Sequence, residues 1–153
     1  MNQNGEWSTS FPSMPAGGPY EITISDGEKV SFEDVYTGDV WFCSGQSNMG
    51  YRLDNVTNAK EELANATNPM IRLLQVSRTM AGTPQKDIEK GTWETCSPKS
   101  SKAFSAVAYF FGKELQEKYK VPIGLINSSW GGTNIEAWMS ACLLYTSPSP
   151  RDG

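Results

Sequence analysis

Val121 to Ile126 is a near-continuous apolar run, and it follows directly on a stretch whose apolar residues recur at helical spacing. Phe104, Val107, Ala108, Phe111 and Leu115 predict an amphipathic helix over residues 102–119, with Glu114 and Lys118 placed to pair across one turn of its wet face. An earlier aliphatic run, Ile71 to Val76, reads as a strand central in a sheet. Strand, helix, strand in this order is a parallel crossover, which is right-handed almost without exception. The predicted fold class is therefore α/β, with a doubly wound parallel sheet.

A second apolar run, Val40 to Cys43, ends in Ser44-Gly45-Gln46-Ser47-Asn48. It predicts a buried strand, with Gly45 making the tight turn that leaves Ser47 open at the strand's carboxyl end. Ligands of open α/β sheets gather at that edge. Ser47 is a candidate nucleophile, or a helix cap, as Ser and Asn commonly are. Gln46 and Asn48 flank it and either hold the turn or touch substrate. The strand from Val121 should end at Trp130-Gly131-Gly132-Thr133-Asn134-Ile135-Glu136. Thr133 and Glu136 match a capping box, predicting a helix that starts just after Thr133. Gly131 and Gly132 are either a plain strand-to-helix turn or a pair of accessible backbone donors suited to an oxyanion. Trp41, Trp130 and Trp138 are candidates to stack on a sugar or to pack internally.

The chain has 153 residues, 38% of them hydrophobic, enough for one modest domain. Its formal charge is -4 and it lacks a basic run, which argues against nucleic acid and anionic membrane as partners. It has no apolar run of membrane-spanning length and no signal-peptide pattern. It contains no histidine. A serine hydroxyl needs a positioned base, so the chain as it stands cannot complete a serine-histidine mechanism. Cys43, Cys96 and Cys142 show no metal-type spacing, and no metal is expected. Asn55, Asn65 and Asn127 head Asn-x-Ser/Thr patterns, and Asn127, at a strand end, should be hidden.

Residues 1–36 alternate turn-formers with short β-prone runs; Tyr20 to Ile24 predicts a half-buried strand and Asp26-Gly27 a hairpin turn. Asn58 to Ala66 favours a short helix that Pro69 stops. Ser77 to Ser101 reads as a long surface excursion forming part of a substrate rim, with Trp93 its anchor in the core. Residues 142–153 resemble a translated transposase adapter; the other reading is a Pro/Ser-rich disordered tail.

The stretch GDVWFCSGQSNM, from Gly38 to Met49, resembles the first conserved block of the sialate O-acetylesterase family, a branch of the SGNH-type serine esterases. Pro122 to Trp138, with its Trp-Gly-Gly-Thr, is similar to a second block, and Phe104 to Gly112 to the helix preceding it. The resemblance implies a carbohydrate O-acetylesterase that removes acetyl groups from sialic acid or a related sugar through an acyl-Ser47 intermediate, without a cofactor. It implies an oxyanion site formed by the N–H of Ser47 with that of Gly131 or Gly132. It assigns residues 1–36 to the end of a preceding β-sandwich domain, with Met1 an internal methionine or late start, and residues 37–141 to the first part of the esterase domain. The family's Gln-Gly-Glu and Asp-x-x-His blocks are absent, so this stretch alone is expected to be nearly inactive. Alternatives are an acetylxylan esterase or other polysaccharide deacetylase using the same residues, and a non-catalytic sugar-binding or vestigial protein. A periplasmic or secreted parent is compatible with the resemblance; the oligomeric state is left open.

Overall fold

The computed structural model describes residues 7–140 together with Leu143 and Tyr145; Met1, Cys142 and nearly all of the 142–153 tail lie outside the described residues. The chain is α/β, built on a mixed sheet of four strands in the order β3-β6-β4-β5. These are β3 (Asp39–Gly45), β4 (Asn68–Gln75), β5 (Trp93–Cys96) and β6 (Ile123–Ser129). β6 runs parallel to both β3 and β4, and β5 closes the other edge antiparallel to β4. The expected crossover from Ile71 through a helix to Ile126 is thus present, with β4 and β6 adjacent.

Helices α1 (Ala59–Ala64), α2 (Pro98–Lys102) and α3 (Ala106–Tyr119) share one face of this sheet. Alternation along the strands sends Cys43, Ile71, Leu73, Ile123 and Leu125 into that layer, where they meet Leu53, Phe104, Ala108 and Tyr109. A salt bridge of 3.0 Å from Lys113 to Glu62 joins α3 to α1. Each of the later helices starts at a side-chain cap. Ser97 and Ser100 form a reciprocal capping box with Pro98 in the first turn of α2. The Ser105 hydroxyl accepts from the Ala108 N–H at 3.1 Å to begin α3.

A separate two-stranded sheet pairs β1 (Gly17–Ser25) with β2 (Lys29–Thr37), the hairpin expected around Asp26-Gly27. Its link to the larger sheet is Arg72, whose guanidinium donates to both Asp34 carboxylate oxygens at 2.8 and 2.7 Å and lies 4.4 Å from the Tyr36 ring centroid.

Several sequence expectations are corrected. Val40 to Cys43 is not a buried strand: only Cys43 is buried, while Val40 and Phe42 are 62% and 67% exposed. β3 lies at a sheet edge with the helices on one face, so every second residue points away from them. Trp41, on the helix face, meets Phe111 edge to face at 5.1 Å. Trp93 is no core anchor; it stands in edge strand β5, 46% exposed, and crosses Gly124 on the open face. The end of the predicted 77–101 excursion is folded into β5 and α2. α3 starts four residues later than expected and buries Ala106, Ala108, Tyr109 and Gly112, leaving Val107 and Phe111 exposed. Glu114 and Lys118 form no salt bridge among the described residues; Lys118 lies over the Tyr119 ring instead.

Candidate active site

Gly45 ends β3 with φ +147°, a backbone angle that side chains other than glycine's avoid. The chain then closes one helical turn, in which the Gly50 N–H donates to the Gln46 carbonyl at 2.8 Å and the Tyr51 N–H to Asn48 at 3.2 Å. No helix follows at once, so Ser47 caps none. Met49 packs against the core and takes a 3.5 Å contact from the Ser105 hydroxyl, which fixes the far side of the turn. Ser47 is exposed, and its hydroxyl has no hydrogen-bond partner among the described residues.

The segment leaving β6 docks onto this turn. The Trp130 N–H donates to the Gly45 carbonyl at 3.0 Å, and Gln46 Nε2 donates to the Thr133 carbonyl. Gly131 is pressed against the serine: a Cβ there would stand 3.1 Å from Ser47 Oγ and 3.7 Å from Ser47 N. Gly132 differs, with φ +78° and open space around a built Cβ. Two of the sequence-predicted residues, Ser47 and Gly131, are therefore side by side. Gln46 holds the two loops together, and Asn48 contributes its carbonyl to the turn.

The capping box expected at Thr133 and Glu136 does not form. Residues Ile135–Trp138 make a short 3-10 helix whose N-cap is Asn134, without a side-chain cap. The Thr133 hydroxyl is engaged elsewhere, donating to the Trp130 carbonyl and accepting from Trp138 Nε1, both at 2.8 Å. That pair holds Trp138, which with Trp130 lines a cavity of about 620 Å³; its lining residues Trp130 and Thr133 are the ones that bond to the Ser47 turn. Arg78 and Ser129 line the same cavity. Sequence reasoning missed both, although Arg78 stands just past the end of a predicted strand, at the sheet edge where ligands gather.

Burial raises the Cys43 thiol above its ordinary range, so this cysteine, close before the turn, stays protonated and unreactive. Burial does the same to Cys96, partly opposed by its hydrogen bond with Ser101. Among the described residues no group of His, Cys, Asp and Glu could hold a metal ion.

A family model described as carbohydrate esterase, sialic acid-specific acetylesterase, matches residues 37–148, which include both loops of the site. The chain belongs to this family. It is 40% identical over 160 residues to the sialate O-acetylesterase of Pongo abelii and 39% identical to that of Homo sapiens, in each case covering 96% of this chain and 31% of the relative. A crystal structure of a carbohydrate acetylesterase from Xanthomonas citri superposes with a TM-score of 0.87 at 38% identity, over 94% of this chain and 33% of that one. The chain thus spans about a third of the length of these carbohydrate esterases.

Proposed function

We propose that this chain carries the nucleophile and oxyanion half of a carbohydrate O-acetylesterase acting on acetyl esters of sialic acid or a related sugar. Ser47 Oγ attacks the acetyl carbonyl, and the acyl-serine that forms releases the sugar hydroxyl; water then frees acetate and restores the serine. The backbone N–H groups of Ser47 and Gly131 hold the oxyanion of both tetrahedral intermediates. The observation that carries this reading is the approach of Gly131 to the unpartnered Ser47 hydroxyl, 3.1 Å from a built Cβ, since a larger residue would fill the space the reacting carbonyl needs.

The chain has no histidine, so the base that activates Ser47 comes from residues outside it. The open face of the sheet, with Val40 and Phe42 exposed, supports a doubly wound esterase domain whose first part is residues 37–141. The hairpin's separate sheet supports assigning residues 1–36 to the end of a preceding β-sandwich. The test is acetate release from O-acetylated N-acetylneuraminic acid, with serine-directed phosphonate labelling, by the protein expressed from its complete native reading frame. Ser47→Ala should abolish both; hydrolysis that survives it refutes the assignment.

A further inference from the structure

The cavity beside the nucleophile turn contains a feature that a neutral sugar would not use. Arg78 is the one charged side chain among the described residues lining it. Arg78 Nε donates to the Ser129 carbonyl at 3.3 Å, so the guanidinium is tethered to the carboxyl end of β6. Both of its terminal amino groups lack a protein partner among the described residues. Among the described residues no carboxylate lines the cavity, and Glu89 already accepts from the Thr79 hydroxyl at 2.6 Å. A guanidinium held by its Nε, with both amino groups free, is shaped for bidentate capture of a carboxylate.

We propose that Arg78 binds the carboxylate of the sugar and makes the site select acidic acetylated sugars over neutral ones. This rests on the esterase reading above. Placement supports it: from Ser129, which tethers Arg78, to Gly131, which touches Ser47, is at most about 7 Å of extended backbone. Carboxylate receptor and nucleophile are therefore anchored two residues apart on the segment that leaves β6. Trp130, between those two anchors in sequence, and Trp138 line the cavity with Arg78, and Trp138 is held by its hydrogen bond to Thr133. An indole face there packs on the sugar's C–H surface while the charged end is taken by Arg78.

The probes are N-acetylneuraminic acid and its methyl ester, which differ by the charge that Arg78 reads and by one methyl group, and the Arg78 variants separate the two. Binding of each to the 153-residue chain is measured by NMR titration, and kcat/KM for their O-acetylated forms is measured with the protein from the complete reading frame. The acid should be preferred over the methyl ester by about tenfold or more. In hydrolysis the preference should lie in KM. Arg78→Gln should erase it and Arg78→Lys should restore part of it, with melting curves showing that each variant folds. Equal binding of acid and ester by the unaltered chain, or a preference that persists in Arg78→Gln, overturns the proposal. Loss of the esterase reading looks different: the binding preference remains, but no Ser47-dependent acetate is released.

Discussion

Replacing Gly131 by alanine places a methyl carbon 3.1 Å from Ser47 Oγ, closer than such carbons normally approach an oxygen. Gly131 is not among the residues with positive φ, so alanine is compatible with its backbone and the fold should tolerate the change. The hydroxyl must instead give way by a few tenths of an ångström, and the methyl occupies the side from which the acetyl carbonyl approaches. Alanine keeps the backbone N–H of residue 131, so the proposed donor stays and the effect is one of geometry alone. Misplacement of the reacting groups by about 1 Å costs roughly 10²-fold. Gly131→Ala should therefore lower kcat/KM for O-acetylated sialate by about 10²-fold, with little change in melting temperature. Gly132→Ala is the control with the opposite signature. Its added carbon meets nothing, but φ +78° forces alanine into a left-handed conformation, a cost of about 1–2 kcal/mol that appears in stability. Paired steady-state kinetics and thermal melts of the two variants, in the protein from its complete reading frame, decide the matter. If Gly132→Ala impairs turnover more than Gly131→Ala, the proposed donor is wrong.

Gly112→Ala should destabilise the chain by about 1–3 kcal/mol in chemical denaturation, because the new methyl lies 2.6 Å from Leu125 Cδ1 in the α3–β6 contact; helix propensity alone predicts a gain of about 1 kcal/mol, so the sign separates the two effects. In a Cys142→Ser background, a thiol reagent should find no reactive cysteine in the native chain and two after unfolding, since Cys43 and Cys96 are buried with raised pKa values. The hydrogen bond to Glu62 holds Lys113 charged and raises its pKa above the ordinary lysine range. That contribution is fully present below the unfolded lysine value of about 10.4 and is lost as pH rises through the higher folded one. Glu62→Gln should flatten this alkaline loss of stability in melts recorded across that window, and an unchanged slope would contradict it.

The periodic parts of the fold were legible because one residue type at a fixed spacing decides them. Val121 to Ile126 and Ile71 to Val76 predict strands that form and lie side by side, and Asp26-Gly27 predicts a hairpin that closes. Which strand lies at an edge is not written in the strand itself. Val40 to Phe42 is as apolar as Leu73 to Leu74, yet its exposure follows from the order β3-β6-β4-β5, which depends on crossovers remote in sequence. The cap pattern misled in the same way. Thr133 and Glu136 have the right spacing, but the Thr133 hydroxyl has a competing partner in the Trp130 carbonyl and the Trp138 indole, and tertiary contacts win. Ser97-Pro98 makes the stronger local cap, inside a stretch whose Gly and Pro content predicts a surface excursion.

Ser47 could be singled out from its turn, and the resemblance set it with Gly131 or Gly132, but which glycine lies against it could not be read, because 83 intervening residues separate Ser47 from Gly131 and the two meet only when β3 and β6 pair. That pairing has a mechanistic consequence. Gly45 stands opposite Ser129, the Trp130 N–H closes onto the Gly45 carbonyl, and Gln46 reaches Thr133. The turn of Ser47 and the segment carrying Gly131, the proposed oxyanion donor, are thus joined as one extension of the sheet, so their spacing is set by strand register. Electrostatic stabilisation depends on such preorganisation, because donors already aimed need no rearrangement as charge develops. Under the proposed function, this chain holds in one folding unit the part of the reaction that must be rigid, while the proton transfer that switches the serine on requires a base that the histidine-free sequence does not supply.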